Sequence, residues 1–551
     1  MLQVVLQAPN PLIAFSASFR YNTPMKFYRD HYDTIIIGGA LAGLAAAIEL
    51  AEAGLSVLVL EQRNAPGGVS TSIVRNGFEM ELSLHEMSGV GGESDRLNAG
   101  KFFDRHNIDI EWLRVPECYT IALPDRSITL HAGIENFAEE IEQEVPGSRE
   151  PVLAFLRLCD AVFECVNRFA SPSLSDVPKS LHELDIMFKT AGYSTKDVMD
   201  SLDVPEEAQA LLAPYWLYVG SPLSELPFTI CALLLADYIG HGSYIPRRFS
   251  HEMSLKLSEC AEALGVQVEY RQRVEKILTE NGQVTGVRTA RGDKISASYV
   301  ISGAYPNTVF SRMIEPPDQV TPTIYKTLNS RSLSFTVFTL LLMLEGTPQE
   351  LGIKNYCVFT GEVAESDRIF RENICRIGSY EALIGVCLNH TNPDAVPEGF
   401  TSFSITALLR PEAFSGVSGA EYENIRQKIA GQLVDTMAER LLVPIRDHIR
   451  ELVIVTPESI ARFSGSPGGC IYGFRHTMTD HIGARLLAPG GGESIRGLFF
   501  AGAHGFAGDG MGPQIMNGEA AAKSVSDQWK KENGLLQKAM NAIGDNEYEG
   551  R

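Results

Sequence analysis

The chain has 551 residues, 47 of them Lys or Arg and 68 Asp or Glu, for a formal net charge of −21. With 44% apolar and 21% charged residues it has the makeup of an ordinary globular protein, which excludes disorder over most of its length. The acidic balance, without any Lys/Arg-rich run, excludes nucleic acid as the main partner, because neutralising phosphates needs clustered cations.

The 9 cysteines are scattered without a C-x-x-C spacing. That is the pattern of a reduced chain, expected in the cytoplasm, with neither disulfide frame nor zinc site. No stretch reaches the roughly 18 uncharged apolar residues of a membrane span. Two shorter apolar runs, Leu226–Leu235 and Leu333–Leu344, are read as a buried helix and a buried strand. Their functional alternative is the wall of a lipid tunnel or a peripheral membrane contact. Residues 1–29 are read as an N-terminal extension, since the first acid is Asp30 and Pro9, Pro11 and Pro24 interrupt the segment. Two readings stay open there: a weak transit-like leader, or a functional start at Met25.

In chain order, the first clear element is the β-branched run Thr34–Ile37, followed by Gly38-Gly39-Ala40-Leu41-Ala42-Gly43. A helical pattern (Leu44, Ala47, Ile48, Ala51) comes next, with Gly54 placed to end it. Ser56–Leu60 is a second strand and ends in Glu61, 23 residues after Gly38. This is a βαβ unit of the dinucleotide-binding kind, with Ala40 in place of the middle glycine. A carboxylate at Glu61 suits ribose hydroxyls and disfavours a 2′-phosphate, so NADP is not expected at this turn. Gln62 and Arg63 follow, and then Gly67-Gly68 provides a second close backbone approach, which FAD needs and NAD does not.

Further along, Gly265–Glu269 and Arg273–Leu278 are expected as strands joined by a tight turn. Asn281-Gly282 then makes a hairpin to Val284–Thr289. Lys294–Ala297 and Tyr299–Ser302 are expected as two short strands. Gly89-Val90-Gly91-Gly92 and Gly490-Gly491-Gly492 follow no strand and are read as loops, so only one dinucleotide fingerprint is present. The chain closes with a strand at Leu498–Ala501, a glycine-rich stretch from Gly502 to Gly512, and a helix from Pro513 to about Trp529. Residues 531–551 are read as a polar, frayed tail.

With these elements in place, residues 33–72 resemble the extended FAD fingerprint shared by amine oxidases, phytoene desaturases, carotenoid isomerases and retinol saturases. Gly77-Phe78-Glu79-Met80-Glu81-Leu82-Ser83-Leu84-His85 resembles the G-[FY]-x-F-D-x-G-x-H stretch of the isomerase and saturase branch, with Met80, Glu81 and Ser83 as departures. Ser464 to Gly473 resembles that branch's T-G-x-P-x-G-x-x-Y-G. Gly497 to Met511 resembles its closing glycine motif, with Ala507 for Pro and Asp509 for an uncharged residue. Where the family commonly has P-x-G-G, this chain has Pro246-Arg247-Arg248-Phe249, whose two cations either bind an acidic group or form a solvated loop pair.

The resemblance implies an α/β, two-domain, FAD-binding fold, Rossmann-like and of the GR2 type. Its discontinuous FAD domain would comprise 30–100, 240–305 and 450–530, with a mixed α+β substrate domain from 101–239 and 306–449. It also implies FAD-dependent desaturation, saturation or isomerisation at carbon–carbon bonds of an apolar polyene or isoprenoid-like substrate. A reductive cyclase of a polyene natural product stays open, as does a lipid-binding escort of the GDP-dissociation-inhibitor type. A pyridine nucleotide as external reductant and the oligomeric state also stay open.

For the site, Gly38, Gly39, Ala40, Ala42, Gly43, Glu61, Gln62, Arg63, Gly67, Gly68, Gly502, Asp509, Met511 and Gly512 are the expected cofactor residues. The resemblance adds the backbone of Val274 at adenine. A helix N-terminus at Gly510-Met511-Gly512 stabilises negative charge on a reduced flavin ring. His85, Asp509 and His504 are the candidates for proton transfer beside that ring, while Glu519 is read as a plain helix residue.

Overall fold

The computed structural model describes residues 28–170, 185–361, 365–378, 380–487 and 495–548. The expected start at Met25 and the run Gly490-Gly491-Gly492 lie outside the described residues.

The opening βαβ unit forms as its pattern dictates. Tyr32–Ile37 ends in three isoleucines and, Asp33 apart, lies buried between parallel neighbours Lys294–Ser302 and Val57–Leu60. Helix Leu41–Glu52 is rich in Ala, so a second helix can approach its backbone closely. The C-terminal helix does so at Gly518, where an added Cβ would stand 2.3 Å from the Ala42 carbonyl oxygen. Gly43 is required at the crossing of helix and strand, because a Cβ there would stand 2.2 Å from the Gly38 oxygen.

Among the described residues the first sheet has eight strands. Its order is Ile314–Glu315, Val274–Glu280, Gln283–Thr289, Lys294–Ser302, Tyr32–Ile37, Val57–Leu60 and Gln267–Glu269, and Leu498–Phe500 also pairs with Lys294–Ser302. Asn281 and Gly282 both have positive φ (51° and 74°), the tight turn expected of an Asn-Gly hairpin. The two strands expected at Lys294–Ala297 and Tyr299–Ser302 are one continuous strand. Ser298 interrupts the apolar pattern without breaking the ladder, because Ser296 and Ser298 both point outward and bond the His31 ring at 2.8 and 2.9 Å.

The second sheet has seven strands: Ile449–Val455, Thr336–Glu345, Phe400–Leu409, Ile384–Cys387, Cys357–Thr360, Tyr119–Ala122 and Ser127–Leu130. The apolar run at Leu333–Leu344 supplies its strand Thr336–Glu345, buried along all but its last residue. Helix Gly419–Leu441 covers the sheet through Ile429, Leu433, Val434 and Met437. The other apolar run becomes helix Phe228–Leu235, packed on helix Arg149–Ala170. Ile449–Val455 pairs with Thr336–Glu345, so the second sheet takes a strand that the division at 450 assigned to the FAD unit.

The expectation of a frayed tail from residue 531 is corrected as far as Tyr548, since helix Met511–Tyr548 continues to that residue. Glu532 accepts a hydrogen bond from the Tyr299 hydroxyl, which ties the helix to the first sheet beyond the expected end near Trp529.

Candidate active site

One cavity of about 1490 Å³ runs between the two sheets. That exceeds the roughly 300–1,000 Å³ of a pocket for one drug-sized ligand. At one end lies the glycine turn. Gly38 has φ +102°, a conformation side chains rarely allow, and its Cβ position meets nothing within 4 Å. The Gly67 amide donates to the Gly39 carbonyl at 2.8 Å, so the second glycine pair is tied to the first turn. A Cβ at Gly68 would stand 3.1 Å from that of Ala40, so the methyl group that replaces the middle glycine faces Gly68.

Glu61 is buried on the cavity wall, its oxygens accepting from the amides of Gly39 and Arg63 at 2.8 and 2.7 Å. Arg63 spends its guanidinium on Phe463, lying over the ring and donating to the carbonyl, so what it adds at Glu61 is backbone. Gln62 and Val274 line the same end. Of the expected cofactor residues all but Gly39, whose amide goes to Glu61, line this one cavity.

The C-terminal turn lies elsewhere along the cavity. The first helical bond there runs from the Gln514 amide to the Gly510 carbonyl at 3.1 Å. The amides of Met511 and Gly512 therefore have no helical acceptor, and Pro513 has no amide to satisfy. The turn is built by Asn517, which the sequence reading missed. Its side chain accepts from the Ala507 amide at 3.0 Å and donates to the carbonyls of Gly502 and Gly508 at 2.9 and 3.2 Å. Met87 closes the space here, its Cε 3.5 Å from the Cβ position of Gly512.

His85, His504 and Asp509 all line the cavity. Burial pushes His85 down to about 4. Burial, then Arg331 and Arg485, push His504 down to about 3. Burial thus favours the neutral form of both rings, the form that can accept a proton. Asp509 accepts a hydrogen bond from His476 Nε2 at 2.9 Å, and its Oδ1 is buried without a partner. Burial lowers the His476 pKa despite that carboxylate. No motif announced His476, which lies 33 residues before its partner.

A second group was also missed. Glu86 is buried beside His85, accepts the Tyr218 hydroxyl at 2.6 Å and is pushed up to about 8 by burial, with Glu117 adding to the rise. Asp237 lines the same wall and is pushed up to about 6 by burial. The one available signal for Glu86 was an acid directly after the motif histidine. Arg247 and Arg248, by contrast, are absent from the cavity wall. Arg247 pairs with Glu111 at 2.7 Å and Asp394 at 3.2 Å on the surface, so the acidic-group reading is dropped.

A dinucleotide alone would need the first turn and its acid. The second glycine pair and a helix start farther along the same cavity fit a dinucleotide whose other half is a ring with carbonyl acceptors. The class so defined is a flavin-dependent oxidoreductase with FAD as cofactor, and comparison with known proteins agrees. The profile of the family "Flavin containing amine oxidoreductase" matches residues 41–351, more than half of the chain, and the protein belongs to that family.

Prolycopene isomerase 2, chloroplastic, of an Oncidium hybrid cultivar is 25% identical over 514 residues, covering 90% of this chain and 84% of the relative. All-trans-retinol 13,14-reductase of Danio rerio is 24% identical over 478 residues, covering 81% and 78%. An oxidoreductase from Methanosarcina mazei superposes with a TM-score of 0.58 at 15% identity, covering 90% of this chain and 99% of that one. A redesigned putrescine oxidase superposes with a TM-score of 0.59, also at 15% identity, over 90% and 99%. Among the described residues no helix is long and apolar enough to cross a membrane.

Proposed function

We propose that the protein performs FAD-dependent redox or isomerising chemistry at carbon–carbon double bonds of an apolar polyene. The observation that carries this reading is the continuity of one cavity from the glycine turns into a chamber with apolar walls. The two apolar runs enter that wall as Ile230, Leu233 and Leu234 of one helix and Val337 and Thr339 of one strand. Relatives that isomerise prolycopene or reduce retinol favour it over a reductive cyclase or a lipid escort.

In this reading the first sheet with its helices is the FAD domain and the second sheet walls the substrate. Glu61 and the two glycine turns hold the dinucleotide, and the amides of Met511 and Gly512 face the ring. FAD, when bound, supplies hydride exchange with a substrate carbon. The chain's own part is to exclude water from the chamber, to hold the polyene in register and to manage the proton. Neutral His85 and the Asp509 carboxylate are the acceptors we assign for that proton, with His476 positioning Asp509 and His504 packed behind the turn. Among the described residues there is one dinucleotide turn, so an external NAD(P)H would have to reach the same cavity. Nine scattered cysteines without a C-x-x-C spacing fit a reducing compartment such as the cytoplasm.

The test is direct. The purified protein should be yellow with one FAD per chain. It should change the double-bond pattern of prolycopene or all-trans-retinol, followed by chromatography under anaerobic conditions with the flavin oxidised and then reduced. A protein that purifies without flavin sinks the reading.

A further inference from the structure

The chamber beyond the glycine turns is walled by apolar groups, among them Phe163, Val166, Leu233 and Leu234. Glu86, Tyr218, Asp237 and Tyr238 are among the polar side chains that interrupt this wall. They form one cluster. Tyr218 donates to the Glu86 carboxyl at 2.6 Å, Tyr238 to the Glu86 carbonyl at 3.2 Å, and Ser88 to the Asp237 carbonyl at 2.9 Å. Each acid also carries one buried oxygen without a partner, Oε2 of Glu86 and Oδ1 of Asp237. Glu86 itself is only 5% exposed. The cations on the cavity wall, Arg63, Arg273, Lys276 and Arg312, belong to the nucleotide end, on or beside the strand that begins at Val274.

Buried carboxyl oxygens without partners are costly, and natural sites rarely leave them so. A hydrocarbon polyene offers them nothing. Resting on the polyene reading above, we infer that the substrate is a polyene bearing a hydroxyl group, which Glu86 and Asp237 receive by hydrogen bonding. A hydroxyl both donates and accepts, so it pairs with a protonated carboxyl and an ionised one alike. An ammonium group pairs best with ionised carboxyls, whereas burial favours the protonated form of Glu86. A site built around a hydroxyl discriminates sharply against the analogue that lacks it, because the buried polar groups are then left unpaired.

The test is a binding titration of the FAD-loaded enzyme in the dark, read by retinoid fluorescence. Three probes share one chromophore: all-trans-retinol, its O-methyl ether and retinylamine. Retinol is expected to bind at least about tenfold more tightly than the ether. Glu86→Leu should abolish that advantage without weakening the ether, and Tyr218→Phe should reduce it, so the result does not hang on one variant folding. Equal affinity for retinol and ether overturns the hydroxyl inference and leaves the polyene reading standing. Tighter binding of the amine than of retinol also overturns it. Binding of none of the three overturns both.

Discussion

The nucleotide turn and the apolar chamber are two ends of one cavity built on different principles. The turn is local: residues 38–43, 61–63 and 67–68 place backbone amides and one carboxylate by glycine conformation alone. The chamber is assembled from distant segments, with Glu86, Tyr218, Val337 and His476 brought to one cavity from loops, a short helix and a strand of the second sheet. Backbone placement leaves a sequence signature and side-chain convergence does not. Substitutions at the two ends should accordingly fail differently, the turn losing cofactor and the chamber losing turnover.

The largest effect is expected in the chamber. His85→Ala should keep FAD and cut turnover by about 10²–10⁴ if the ring accepts the proton, with Asp509→Asn less severe. Rates and flavin content measured on the same sample decide this, and loss of flavin along with rate would make His85 structural. At the turn, Gly43→Ala drives a methyl group against the Gly38 carbonyl and should cost about 1–3 kcal/mol or more of stability, together with flavin. Thermal unfolding with flavin content checks it.

Glu61→Ala removes the acceptor of two backbone amides and, in the proposed reading, of the ribose, about 1.5–3 kcal/mol, or roughly 10- to 100-fold in FAD affinity. Unchanged flavin after gel filtration would place the ribose elsewhere.

A pH series sharpens the contrast further. Glu86 is raised from 4.5 to about 8, so the folded chain binds its proton more tightly than the unfolded chain does. The stability this contributes is present at low pH and is lost as pH rises from about 5 through 8. His85, lowered from 6.5 to about 4, has the opposite sign: its contribution is lost as pH falls from 6.5 through 4. Difference curves of wild type against Glu86→Gln and His85→Gln, from denaturant unfolding, should slope in opposite directions. The smallest effect belongs to neither end: Arg247→Ala breaks surface ion pairs and should change stability and activity by less than about 1 kcal/mol.

What the sequence made legible follows the same division. The βαβ unit, the Asn281-Gly282 hairpin and both apolar runs were readable because periodicity and turn chemistry are local. Lys294–Ser302 reads as two short strands that leave out Ser298, and the His31 ring, which bonds that serine, is met only in the fold. Ile449–Val455 joined the second sheet through a partner more than 100 residues earlier, which no window detects. In the site, Gly38, Glu61 and Gly67 could be found by motif. Asn517, His476 and Glu86 could not, since each matters through a particular partner that no motif pairs with it, 10, 33 and 132 residues away.

In the proposed reading FAD and an apolar chain occupy the two ends of this cavity together. Titrating the yellow protein with all-trans-retinol while recording the visible flavin band tests it most directly. A saturable perturbation of that band with FAD fully retained is the predicted result. Retinol binding that displaces FAD, or leaves its spectrum untouched, would contradict it.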